Sequence, residues 1–247
     1  MKKNILVRSL YKIKSPMWFA DRSDEGDLYS QYMDMHDISL ETFKKHLAGD
    51  WEFVFFNKEV DNIQQVFKDH FFELYELWKA GHNILYCGPD NFVTQPIEVF
   101  GKYKDFMMFN YTDPKSSIEP NHYNIQHKHF FNADVRYFPQ SMDQEIWNIG
   151  LEMAENWDFD CWNTEQFILN HMLWQQPNRT LENTLDPTMA YQGHQLYPMT
   201  THRQLENSNK WNNCEFKDAK IVHLHGSRNA PEKLQLMNIW KKKYGNN

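Results

Sequence analysis

The chain is short of cysteine, of positive charge and of long apolar runs. Its three cysteines, Cys87, Cys161 and Cys214, contain no Cys-x-x-Cys pair, and an odd number excludes a complete set of disulfides. A reducing compartment is therefore expected. The formal net charge of -7 excludes a general nucleic-acid binder, which needs a basic surface against phosphate. It leaves room for a single small phosphate ligand neutralised by a few local groups. No apolar run approaches the roughly 20 residues of a membrane-spanning helix. The opening Met-Lys-Lys-Asn-Ile-Leu-Val-Arg turns polar too early for a signal peptide. The expected location is the cytoplasm, without a membrane span, and the sequons at Asn110 and Asn178 are expected to stay unmodified. Internal repeats and low-complexity tracts are also lacking.

Aromatic side chains, by contrast, make up 16% of the chain. Most are expected to fill a core, and flat rings also pack on the apolar faces of sugars. A length of 247 residues suffices for one substantial core, so a single domain over 1–247 is expected. Asn4 to Ser9 reads as a short buried strand, Trp51 to Phe56 as a second and Asn83 to Cys87 as a third. Between them, Ser39 to Leu47 reads as a helix starting at Ser39, and Val60 to Ala80 as a long amphipathic helix. This alternation predicts an α/β fold with a mainly parallel sheet. Further on, Phe106 to Asn110, His129 to Phe138 and Ala219 to Leu224 read as strands. Met142 to Trp157, Thr164 to Trp174 and Pro231 to Tyr244 read as helices. Ser116 to Lys128 reads as a polar, His-rich loop, and Pro177 to Pro198 as loop with a short strand.

In open α/β sheets, ligands collect at the carboxyl ends of strands. Three strand ends here carry polar groups: Gly88-Pro89-Asp90-Asn91 after the third strand, His223 followed by Gly226 near the end of the chain, and Asn132 with Asp134. Carboxylate and imidazole groups from separate strand ends suit a manganese or magnesium ion. A glycine just past His223 lets backbone N–H groups come close to phosphate.

Four segments together resemble the GT-A glycosyltransferases, and among them the glycogenin-like, galactosyltransferase-type enzymes. Asn83 to Val99 is similar to the apolar strand that ends in their metal-binding Asp-x-Asp. Phe131-Asn132-Ala133-Asp134-Val135 resembles their Phe-Asn-x-Gly-Val segment. Glu165-Gln166-Phe167-Ile168-Leu169-Asn170 resembles their Asp-Gln-Asp-x-Leu-Asn helix start. Ile221 to Arg228 resembles their closing His-x-x-Gly-x-x-Lys segment. The resemblance covers roughly Val66 to Arg228, and the modest length also resembles compact enzymes of phages and other large DNA viruses, for which host cytoplasm would be the location.

The resemblance implies a GT-A, Rossmann-like fold with a nucleotide-binding half over 1–105 and an acceptor-binding half over 106–247. It implies a UDP-sugar donor, a Mn2+ or Mg2+ ion and a carbohydrate or other hydroxyl acceptor. Asp90 and His223 are the implied metal ligands. Arg8, Ser9, Leu10, Asn57, Lys68, Pro89, Asn91, Asn132, Asp134, Gly226 and Arg228 are the implied nucleotide and donor contacts. Glu165 and Gln166 are implied beside the donor sugar and acceptor, as the catalytic pair. The family kinship leans towards retention of anomeric configuration; an inverting enzyme would use a carboxylate base such as Glu165.

Two positions depart from the pattern: Gly88 replaces the first aspartate of Asp-x-Asp, and Asn229 replaces the closing lysine, with Arg228 beside it. The missing aspartate motivates a competing reading as a catalytically weak or inactive nucleotide or sugar binder. A metal-dependent nucleotidyltransferase shares the sheet order but needs a richer phosphate-binding turn near the first strand. Asp158-Phe159-Asp160 is a literal Asp-x-Asp without the preceding apolar strand. His122, His127 and His129 have irregular spacing for zinc, and His225 is a substitute for His223.

Overall fold

The structure is a computed structural model, and it describes residues 3–14, 27–112, 127, 129–156, 164–184, 186, 189–193, 219–224 and 230–244. The chain forms two compact units, one from Met1–Met17, Asp50–Tyr86 and Val99–Leu185, the other from Trp18–Gly49, Cys87–Glu98 and Asp186–Asn247.

The first unit is built on a five-stranded sheet. Its strands are β1 (Asn4–Ser9), β3 (Glu52–Phe56), β5 (Asn83–Cys87), β7 (Met107–Thr112) and β8 (Phe130–Phe138), in the order β3-β1-β5-β8-β7. β1 runs parallel to both β3 and β5, with Val7 opposite Val54 and Tyr86. β7 returns antiparallel to β8. A short parallel pair, β2 (Lys12–Ile13) and β4 (Glu59–Val60), sits beside it in sequence. The expected α/β class, with a mainly parallel central sheet flanked by helices, is what the molecule has.

Helix α2 (Ile63–Lys79) begins where Asn62 accepts the Gln65 N–H at 2.9 Å, while the Gln65 side chain accepts the Asp61 N–H. It ends before Gly81, whose φ of 96° suits glycine. Its buried residues Phe71, Leu74 and Trp78 repeat at helical spacing and meet α3 (Gln144–Asn156) through Trp147. Helix α4 (Thr164–Trp174) clamps the start of β8. Asn170 accepts the Phe131 N–H at 2.8 Å and donates to the Phe131 carbonyl at 2.7 Å, so a polar side chain completes the backbone pairing of a strand. A one-turn helix, α5 (Leu181–Thr184), follows.

The second unit has a three-stranded sheet, β6 (Asn91–Val93), β10 (Ile221–Leu224) and β9 (Ala190–Gly193), in that order. β10 is antiparallel to β6 and parallel to β9. Helices α1 (Leu28–His46) and α6 (Ala230–Tyr244) pack on it through a core that includes Met35, Phe92, Val222, Met237 and Trp240. Two features differ from the sequence reading. First, α1 starts eleven residues earlier than Ser39, at Leu28, with Asp27 accepting the Ser30 N–H at 3.2 Å. Ser39 is buried inside the helix, where its hydroxyl donates to the Asn91 carbonyl. Thr42 accepts the Val93 N–H at 3.1 Å. The two hydroxyls that resemble a helix start therefore serve β6 instead. Second, β6 itself was not expected: it is three residues long and exists by pairing with β10.

The helices α3 and α4 approach closely at Gly150. A Cβ there would meet Met172 Sδ, and would lie 3.1 Å from Phe71 Cζ. Both neighbours are fully buried. Alanine ordinarily gains about 1 kcal/mol over glycine inside a helix. Here overpacking, which costs about 1–3 kcal/mol, outweighs that gain. Gly150→Ala is expected to lower unfolding stability by about 1–2 kcal/mol in urea denaturation, and a stabilised variant would contradict this packing.

Candidate active site

In the second unit the expected metal-binding segment leads straight into β6. The register of β6 and β10 sets Asn91 opposite His223, and the Leu224 N–H donates to the Asp90 carbonyl at 3.0 Å. The backbone thus fixes Asp90, in the turn one residue before β6, beside His223 of β10. Asp90 Oδ1 lies 3.7 Å from His223 Nε2. Asp90 is 6% exposed and His223 4%. Asn91 is buried, and its side-chain amide donates to the Gly88 carbonyl at 3.0 Å, which ties the turn shut. Pro89 is half-buried within that turn.

A residue that the sequence reading passed over completes this group. Lys233 on α6 donates to Asp90 Oδ2 at 2.5 Å and is 1% exposed. Burial alone would raise the Asp90 pKa. The charges of Lys233 and then His223, together with the hydrogen bond from Lys233, outweigh it and hold the carboxyl below the usual range. Burial pulls on Lys233 in the opposite sense, and Asp90 again prevails, so the ammonium is held above its ordinary value.

In the first unit the polar residues gather at β8 and α4. Arg136, buried in β8, donates to Glu165 Oε1 at 2.6 Å and to the Ala133 carbonyl at 2.7 Å. His70 Nδ1 lies 3.1 Å from the same carboxylate oxygen. The guanidinium stacks 4.3 Å over the Tyr86 ring, and the Tyr86 hydroxyl pairs with Ser9 Oγ at 3.2 Å. Burial would raise the Glu165 pKa, but Arg136 and His70 bring it down to about 2. Glu165 is thus a locked carboxylate in a buried ion network. Gln166 accepts the Ala133 N–H at 3.0 Å, and Asn132 accepts the Asp134 N–H at 2.8 Å.

The other expected contacts are more scattered. Arg8 is buried in β1. Leu10 is half-buried, with its N–H donating to the Phe56 carbonyl. Asn57 and Lys68 are exposed, and neither lines the open groove of about 410 Å³ formed by Phe56, Lys58, Asp69, Phe72, Glu73, Glu76 and Leu77. Gly226 and Arg228 lie outside the described residues, as do Asp158-Phe159-Asp160, His122 and His225. Arg136, His70 and Lys233 gave little sequence signal. Each meets its partner on an element distant in the chain.

Asp90 and His223 offer a carboxylate and an imidazole, donor types that a divalent cation takes from proteins. The Asp90–His223 pair fits such an ion. A separation of 3.7 Å is too long for a hydrogen bond. It lies within the span of two ligand bonds of about 2.1 Å each. The second Asp90 oxygen is engaged by Lys233.

No family model matches the chain, and no curated protein does. Among solved structures it is similar to the crystal structure of a glycosyltransferase involved in the glycosylation of the major capsid of PBCV-1. The two are 12% identical, with a TM-score of 0.51 over 95% of this chain and 98% of that one. The protein therefore shares the α/β fold of that enzyme. No helix among the described residues is long and apolar enough to cross a membrane.

The depressed Glu165 pKa carries a stability signature. A carboxyl titrating at about 2 when folded and near 4.5 when unfolded stabilises the fold above pH 4.5 and loses that contribution as pH falls towards 2. Glu165→Gln is expected to cost about 3 kcal/mol at pH 7, where it also strands Arg136. The gap between the two proteins should close between pH 4.5 and pH 2, measured by urea denaturation at each pH. A gap independent of pH would contradict the ion network.

Proposed function

We propose that this protein is a metal-dependent glycosyltransferase that moves a sugar from a UDP-sugar to a carbohydrate or other hydroxyl acceptor. The observation that carries the reading is the facing pair of Asp90 and His223, fixed by the β6–β10 ladder at the end of the β5 segment. The fold shared with that glycosyltransferase supports it. In this reading Asp90 and His223 hold a manganese or magnesium ion. When bound, the ion supplies Lewis-acid charge that stabilises the diphosphate as it leaves.

The chain's own residues then bind and orient the donor. Arg8, Ser9, Leu10, Asn57 and Lys68 are assigned to the nucleotide, and Pro89 and Asn91 to the turn that shapes its diphosphate end. Asn132 and Asp134 are assigned to the donor sugar. Gly226 N–H and Arg228 add positive potential at the diphosphate. Glu165 remains ionised at neutral pH because Arg136 and His70 hold it so. It acts as a fixed negative charge beside an oxocarbenium-like transition state, with Gln166 next to it. A carboxylate held at about 2 is a poor proton acceptor at pH 7, which favours the retaining outcome over a Glu165 base.

One observation favours a second reading, a nucleotide or sugar binder with little or no activity. Gly88 supplies no carboxylate, and Lys233 already engages Asp90. The two readings separate on donor hydrolysis: the enzyme releases UDP slowly in the presence of manganese without acceptor, whereas the binder holds UDP and releases none from the donor.

A thermal-shift screen of nucleotide sugars with and without manganese tests the main proposal, because a ligand of the native state raises Tm by mass action. UDP-sugars are expected to raise Tm more with manganese than without. Asp90→Ala should abolish the manganese-dependent part. A manganese-dependent shift that survives Asp90→Ala would place the ion elsewhere in the chain.

A further inference from the structure

Among the described residues Lys233 is the one buried lysine, and it occupies a core position. Leu236, Met237 and Trp240, which follow it at helical spacing on α6, are all buried in the apolar core of the second unit. An ammonium withdrawn from water is costly unless a counter-charge meets it. The counter-charge is Asp90, at 2.5 Å. A second acceptor stands close by: the Tyr32 hydroxyl of α1 is 3.4 Å from Nζ, and the face of the Tyr32 ring is 5.5 Å away.

We propose that Lys233 is a resident counter-cation of Asp90, and that a divalent ion gains this carboxylate by displacing the ammonium onto Tyr32. The inference rests on the reading of Asp90 and His223 as metal ligands and adds a control element to it. One carboxylate cannot neutralise an ammonium and a doubly charged ion at the same short distance without strong repulsion in a buried setting. Lysine suits the task, since it carries a compact charge on a flexible stem with three rotatable donors. Tyr32 gives that charge both a hydroxyl and an aromatic face, so the ammonium has somewhere to go. The empty protein thereby keeps Asp90 neutralised, and the metal is held only as tightly as it outcompetes an internal charge.

The test is manganese binding to the full chain, followed by the electron paramagnetic resonance signal of the free ion and by thermal denaturation. Lys233→Met is expected to bind manganese at least about tenfold more tightly than the unaltered protein. The same variant should also show a larger rise in Tm on manganese addition, because the ion now neutralises the bare carboxylate. Tyr32→Phe leaves the buried ion pair in place and removes the second acceptor. It should bind manganese about threefold more weakly, and it keeps the proposal open to refutation if Lys233→Met does not fold. Asp90→Asn is the control that should remove the site.

Equal manganese affinity in the unaltered protein and Lys233→Met overturns the counter-cation role while leaving the metal ligands standing. The same holds if Tyr32→Phe binds as the unaltered protein does. Absence of binding in the unaltered protein and Lys233→Met alike overturns both the inference and the metal reading beneath it.

Discussion

A carboxylate taken out of water must find a positive charge, and that constraint organises both units of this protein. In the second unit Asp90 is met by Lys233 and faced by His223. In the first, Glu165 is met by Arg136 and His70. Removing one partner from such a pair typically costs about 3–5 kcal/mol, because the other is left charged and buried. The surrounding elements are arranged to deliver these partners. The β6–β10 ladder fixes Asp90 against His223, and α6 brings Lys233 to the same carboxylate. The clamp of α4 on β8 through Asn170 and Gln166 places Glu165 against Arg136.

The two carboxylates are held differently, and the difference bears on function. Glu165 has two cationic partners and a guanidinium that is itself stacked on Tyr86 and bonded to the Ala133 carbonyl. Its ionised state is over-determined. Asp90 has one oxygen on an ammonium with a flexible stem and the other turned towards an imidazole at 3.7 Å. That is a looser arrangement, and one that a small cation can enter. The proposals give them different parts accordingly: Glu165 is a fixed anion, and Asp90 is an anion that exchanges its cation.

Much of the framework was legible in the sequence. Short apolar runs mark β1, β3 and β5, and the sequence pattern over Thr164–Trp174 gives a helix with the bounds that the structure has. The misreadings share a physical cause: the decisive interaction was non-local. Ser39 looks like a helix cap because a cap and an interior serine bonded to a strand are the same letter. β6 follows a Gly-Pro turn and is too short to show a period; only its pairing with β10 makes it a strand. In the candidate site, Asp90 and His223 were read from their positions after apolar strands. Lys233, Arg136 and His70 were not, since a lone charged residue beside apolar neighbours reads as the edge of a solvated face until the fold shows what it meets.

The central claim is that Asp90 is a metal ligand kept neutral by an internal cation until the metal arrives. Crystals grown with manganese and UDP, with diffraction data collected at the manganese absorption edge, address it most directly. The account predicts an anomalous peak within ligand distance of both the Asp90 carboxylate and His223 Nε2, with the Lys233 ammonium moved off Asp90 towards Tyr32. A map with Lys233 still bonded to Asp90 and no manganese at that carboxylate would contradict it.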